Sequence, residues 1–265
     1  MPRQMRDEKR GGTVQSVVRA LRLLEALGDS RGEVGIAELS TQVGLHVSTT
    51  HRLLSTLVAQ GYARQNPDTS RYALGARALH LAESYLGQTD LRRVARPALE
   101  RLRQETGETA NLVILDGREV LYLDKAESPQ SLRIFSRIGG RAPLYCTAVG
   151  KVLLASRGKA EVEALLGPGP LEALTRSTIT SRSQLHRELE KVREQGFALD
   201  REECDEGACC IAVPLPDAQG NVEAALSVSG PSVRLTPKRM GELVPLMRRV
   251  AGEVSAQLGW RGSQR

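Results

Sequence analysis

Aromatic residues are scarce in this 265-residue chain: one Trp, two Phe and five Tyr, 3% of the whole. A protein that holds single-stranded nucleic acid by stacking successive bases needs more of them, so that class is disfavoured. Cysteine is equally sparse. Cys146, Cys204, Cys209 and Cys210 are unevenly spaced, show no C-x-x-C, and two are adjacent. That pattern fits neither a disulfide framework nor a standard zinc site. It points to a reducing cytoplasm, with no metal or cofactor expected. No apolar run exceeds a few residues, so no membrane-spanning helix is expected. Residues 1–10 are charged with no apolar stretch behind them, which is not a secretory signal. Residues 1–12 therefore read as a disordered basic arm.

What is present is ordinary for a globular protein: 40% hydrophobic and 26% charged residues. The length suits one large domain or two ordinary ones. The net charge of +6 and a pI near 9.4 suit a nucleic-acid partner without requiring one.

The strongest local signal is residues 35–61. Ile36, Leu39 and Val43 form the apolar stripe of one short helix, broken at Gly44. In a second helix, over 47–59, Thr50, Leu53, Leu54 and Leu57 share one side. Ser48, Thr49, Arg52 and Thr56 lie mostly on the other, with His51 beside the core face. A helix, a glycine turn and a helix with a hydroxyl-rich free face carrying one arginine is a layout that reads a DNA major groove. Val17, Leu21 and Leu24, continued by Leu27 or Val18, mark a preceding helix over 14–27. After it all, Tyr62 to Leu74 reads as strand, Asn66-Pro67-Asp68 turn, strand. Arg64 and Arg71 sit on this wing, placed for phosphates. A winged helix-turn-helix over 13–75 results, followed by a linker helix over 76–90.

From residue 91 the reading is α+β with an antiparallel sheet. A helix is expected after Asp90, with a kink or break at Pro97. Residues 111–115 and 120–123 pair about an Asp116-Gly117 turn. Alternation over 132–138 predicts a third strand, followed by a loop at 139–144. Short helices are expected over 147–156, 159–166 and 183–195, and strands over 210–215 and 222–229. Thr236 and Pro237 open a last helix through Leu258, with Leu243, Met247, Val250 and Val254 inward and a kink at Pro245. The effector-like region is taken as 91–260.

At this point the residues resemble the IclR family of bacterial transcriptional regulators over nearly the whole length. The matching pieces begin with residues 13–21, 44–54, 72–75 and 105–109, and continue with 142–151, 196–203 and 225–231. The resemblance implies a winged-helix head, a GAF-like effector domain, and a dimer through the heads, often assembled into a tetramer. It implies a palindromic double-stranded operator and a small carboxylate effector, glyoxylate or pyruvate being favoured. By the same resemblance, the effector contacts fall on Ala148, Val149, Asp200, Cys210, Ser227 and Ser229.

The residues themselves are compatible with such a site. Ser227 and Ser229 are two apart on a strand and face the same way. A helix starting near Thr147 aims free N–H groups at an anion. Cys204 and Cys209 are assigned no role. Gly150-Lys151 resembles the end of a phosphate-binding loop, but Tyr145 and Val152 stand where glycine and a hydroxyl are required. An enzyme using Cys210 or Ser227 as nucleophile needs a positioned base. His186, at an outward helical position, is a poor candidate.

Overall fold

The computed structural model describes residues 13–30, 32–87 and 90–261. The arm expected over 1–12 lies outside them. The chain divides into two compact units, residues 1–88 and 89–265.

In the first unit, α1 spans Gln15–Asp29, α2 Ile36–Val43 and α3 Val47–Ala59. The short strands β1 (Ala63–Gln65) and β2 (Tyr72–Leu74) pair antiparallel, and α4 covers Ala76–Gly87. Leu23, Leu27, Val34, Leu39, Leu54, Leu57, Ala63 and Tyr72 form the core. Burial of each large apolar side chain stabilises this small unit by about 1.5–3 kcal/mol. The inward face of α1 differs from expectation. Leu23 and Leu27 are buried, whereas Val17 and Leu21 stay 55% and 54% exposed. The helix carries apolar residues on two sides, and spacing alone does not say which one the core takes. Val34 also bridges to Tyr72, a pairing the sequence reading missed. The linker helix expected over 76–90 ends at Gly87. Residues 88 and 89 lie outside the described residues, and Asp90 already belongs to the next helix.

The second unit is built on a six-stranded antiparallel sheet. Its strands are β3 (Thr109–Asp116), β4 (Glu119–Ala126), β5 (Arg141–Pro143), β6 (Ala198–Arg201), β7 (Ala208–Pro216) and β8 (Val222–Pro231). Their order is β5-β4-β3-β8-β7-β6. Helices α5 (Asp90–Thr106) and α9 (Pro237–Gln257) pack on one face. On the other lies α6 (Ala148–Ala155), backed by α7 (Lys159–Leu166) and α8 (Arg182–Gln195). Thr236 caps α9 and Leu243, Met247, Val250 and Val254 are buried, as the pattern requires. Both α5 and α9 run unbroken as helices through Pro97 and Pro245.

Two expectations fail. Residues 132–138 alternate but form no strand, and β5 lies in the stretch read as a loop. Leu132, Phe135 and Ile138 stay exposed. Alternation supports a strand only where a neighbouring strand meets it, and the strand that pairs with β4 here is β5, at Glu119–Leu121. The strand β6 was not foreseen. It is four residues long and adds to the sheet edge only once β7 is in place.

Candidate functional site

Two sites follow from this architecture, one in each unit. In the head, Gly44 takes the left-handed conformation (φ 66°) that ends α2 and turns the chain into α3. His46 caps α3: its Nδ1 accepts from the Ser48 amide at 3.4 Å and lies 2.8 Å from Ser48 Oγ. The sequence reading gave His46 no role. Thr50, Leu54 and Leu57 are buried, which leaves the opposite face to Ser48, Thr49, His51 and Arg52. Ser48, His51 and Arg52 are exposed and Thr49 half-buried. His51 thus stands on the free face and not beside the core. Arg52 forms no ion pair among the described residues.

The wing arginines are engaged. Arg64 Nη1 lies 3.3 Å from Glu33 Oε1. Arg71 Nε donates to the Glu33 carbonyl at 2.9 Å, and its Nη2 lies 3.8 Å from Glu38. Glu33 also accepts from Asn66 Nδ2 through both oxygens and from Thr69 Oγ1. One carboxylate therefore ties the preceding loop to the wing. Both arginines remain about half exposed or more, at 61% and 48%.

The second site is a cavity of about 60 Å³ between the sheet and the start of α6. Ala148, Val149, Asp200, Cys210, Ser227 and Ser229 all line it. Sheet register does the assembly. Asp200, Cys210 and Ser229 stand opposite one another across β6, β7 and β8, and Ser227 pairs with Asn111 across β8 and β3. All these side chains therefore rise from the same face. Above them, Thr147 caps α6, accepting from the Gly150 amide at 3.1 Å and donating to the Pro143 carbonyl at 2.9 Å. The Ala148 and Val149 amides have no partner among the described residues, as expected in a helix's first turn. Gly150 is required there: a Cβ would fall 2.2 Å from the Leu144 carbonyl oxygen.

Asn111, Tyr122, Ser136, Cys204 and Asp205 also line the cavity. The sequence reading missed the first three in this role and left Cys204 without one. Asn111 Nδ2 lies 3.3 Å from Ser227 Oγ and 3.1 Å from Ser229 Oγ, and Asn111 Oδ1 accepts from Ser136 Oγ at 2.7 Å. A polar residue heading the apolar run 112–115 was the available signal.

No lysine, arginine or histidine is among the lining residues. A buried cation, Lys151, acts on Asp200 from outside the lining. Lys151 is fully buried, with Nζ 2.6 Å from Glu203 Oε1 and 3.7 Å from Glu188. The Glu203 amide donates to Asp200 Oδ1 at 2.8 Å. Burial pushes the Asp200 carboxyl up to about 7, against the hydrogen bond from Glu203 and the charge of Lys151. Burial likewise holds the Cys210 thiol well above its ordinary value, and raises the Tyr122 phenol. Below about pH 7 the Asp200 carboxyl thus holds its proton and joins the hydroxyls, amides and thiol as a neutral donor, with Asp205 also in the lining. His186 is absent from it: its Nε2 sits 2.7 Å from Glu163 instead. No histidine lines the cavity beside Cys210 or Ser227.

Known proteins match the chain over both units. Residues 16–67 match the IclR helix-turn-helix domain, and residues 83–256 match the bacterial transcriptional regulator IclR C-terminal domain. The chain is 41% identical to the HTH-type transcriptional regulator KdgR of Escherichia coli over 253 residues, covering 96% of each chain. It is 36% identical to the transcriptional repressor IclR of the same organism, over 94% of this chain and 91% of that one. The crystal structure of an IclR homolog complexed with 4-hydroxybenzoate, from Microbacterium hydrocarbonoxydans, superposes with a TM-score of 0.79 at 28% identity. That match covers 92% of this chain and 98% of the other. These relatives are regulators and not enzymes, and this chain belongs to the IclR family of bacterial DNA-binding transcriptional regulators.

Proposed function

We propose that the protein is a repressor whose operator grip is set by a small carboxylate, with a compact oxo-acid such as glyoxylate or pyruvate favoured. The observation that carries this reading is the cavity. Two helix-start amides, two serine hydroxyls, a thiol and an Asp200 carboxyl that holds a proton up to about pH 7 converge on one space. Such donors hold a carboxylate without a cation. At roughly 10–15 Å³ per water, the cavity of about 60 Å³ has room for about four to six water-sized groups. That favours an acid smaller than the 4-hydroxybenzoate bound by the Microbacterium protein.

In the head, Ser48, Thr49, His51 and Arg52 are taken as the residues facing the major groove, with Arg64 and Arg71 on flanking phosphates. Exposed Val14 at the N-cap of α1, Val17 and Leu21 on that helix, and Leu79 and Leu81 on α4 support a dimer through the heads. A dimer places two recognition helices on a palindromic operator about one helical turn apart. The effector acts by shifting the population between DNA-competent and incompetent arrangements, through a linker about 76–90. The protein works in the cytoplasm, as a dimer or tetramer. A gel shift with the promoter of its own or a neighbouring gene tests this. A sequence-specific shift that glyoxylate or pyruvate changes is expected; no shift at moderate salt, with or without acids, would end the reading.

A further inference from the structure

We infer that Asn111 is the residue that sets the polarity of the cavity, and with it the preference for a carboxylate over a neutral isostere. This inference rests on the carboxylate reading of that site. Ser227 and Ser229 are 3% and 4% exposed, so their hydroxyls need partners. Each Oγ accepts a hydrogen bond from Asn111 Nδ2. Neither hydroxyl has an acceptor for its own proton among the described residues. The amide's two protons are thereby spent on the two oxygens, and both O–H groups are left to donate into the cavity. A hydroxyl both donates and accepts and takes the role its neighbour leaves open. Here the neighbour fixes it.

The amide is itself held in place. Ser136 Oγ donates to Asn111 Oδ1 at 2.7 Å, the arrangement in which the amide nitrogen faces the two serines. Ser136 lies on the irregular segment 131–138 that crosses the cavity, and its carbonyl accepts from Lys125 Nζ at 2.6 Å. The floor of the site, on β3 and β8, is therefore oriented from the segment above it. A ligand oxygen with lone pairs matches two aligned O–H donors. A ligand NH₂ in the same place meets donors only and leaves buried groups unpaired, which costs affinity.

The test uses the full-length protein, with pyruvate and its neutral amide, pyruvamide, as probes in calorimetric titration. The native protein is expected to bind pyruvate at least tenfold more tightly than pyruvamide. Asn111→Asp keeps the shape but presents two acceptors, so each serine proton turns towards it and away from the ligand. Its expected effect is a loss of roughly a hundredfold for pyruvate, about tenfold per hydroxyl, with the preference over pyruvamide abolished. Asn111→Leu removes the amide without adding charge and leaves the hydroxyls free to turn, so its loss is intermediate. Because Asn111→Asp also adds a charge that repels pyruvate, Asn111→Leu decides: a merely structural asparagine would give equal losses for both ligands in that variant, and that result overturns the inference. Retention of native selectivity in Asn111→Asp overturns it as well.

If the native protein binds neither probe, the carboxylate reading fails, and the orientation of Asn111 is read directly. The chain has three asparagines, Asn66, Asn111 and Asn221, so selective ¹⁵N labelling gives three side-chain amide pairs. Slow exchange of both Asn111 amide protons, lost in Ser227→Ala/Ser229→Ala, supports the polarity assigned. Fast exchange of both in the native protein overturns it.

Discussion

At the scale of single residues, neighbours decide what a charge does. Arg52 has no acidic partner among the described residues, whereas Arg64 and Arg71 already face Glu33 and Glu38. Arg52→Ala is expected to weaken operator binding by about 1–3 kcal/mol if it reads a base, and Arg64→Ala or Arg71→Ala by less. Gel-shift titration at two salt concentrations orders the three; a larger effect at Arg64 would reverse the assignment. Asp200 shows the same rule for a buried acid. Its carboxyl holds a proton up to about pH 7 in the folded chain, against 3.8 as the ordinary value. The unfolded chain therefore releases that proton first as pH rises. The stability due to it is whole below about pH 3.8 and is lost towards pH 7, at about 1.4 kcal/mol per pH unit crossed. Melting of the native chain and Asp200→Asn from pH 4 to 7 measures this. The advantage of the native chain should shrink steadily with pH, and a constant difference would refute it. Sequence supplied Asp200 and both serines through a family resemblance. It did not supply Asn111, because an asparagine becomes a cavity residue only when β8 lies beside β3 in the observed register.

Among the elements, α6 carries the most weight for the least length. Its eight residues are all buried, including Lys151. A lysine in an apolar helix is tolerable only with a counter-charge, which Glu203 supplies at 2.6 Å from a loop some fifty positions on. Removing one partner of such a pair strands the other. Lys151→Ala is therefore expected to cost about 3–5 kcal/mol, a fall in Tm of roughly 10 °C for a unit of this size. A change of only a degree or two would mean that water reaches the site. The helices and the paired strands β3–β4 and β7–β8 were legible because periodicity, caps and turn residues act locally: Thr236-Pro237 opens α9 and Gly196 closes α8. The segment 132–138 was misread for the opposite reason. Its alternation is local, but a strand exists only with a partner, and the segment that pairs with β4 is β5, at Glu119–Leu121. The order β5-β4-β3-β8-β7-β6 was likewise beyond any local signal.

For the whole molecule, the division into two units makes recognition and sensing separable by mutation. Ser229→Ala or Asp200→Ala is expected to abolish the response to the effector while leaving operator affinity within about twofold, well under 1 kcal/mol. Arg52→Ala should do the reverse. Gel shifts with and without pyruvate, beside direct titration of pyruvate, separate the two; equal damage to both activities from either change would mean that the units do not act separately. By itself the sequence determined the two-part plan, the helix-turn-helix with its wing and the family, because these rest on short-range periodicity and on ordered motifs. Only the tertiary structure decided which side of α1 is buried, that His51 stands on the open face, and that Glu33 holds both wing arginines. It also decided that residues from β3, β4, β6, β7, β8 and α6 close around one cavity without a cation among its walls. Those are contacts across long stretches of chain, and no local pattern encodes them: they form only when strand register and helix packing bring distant side chains to the same place.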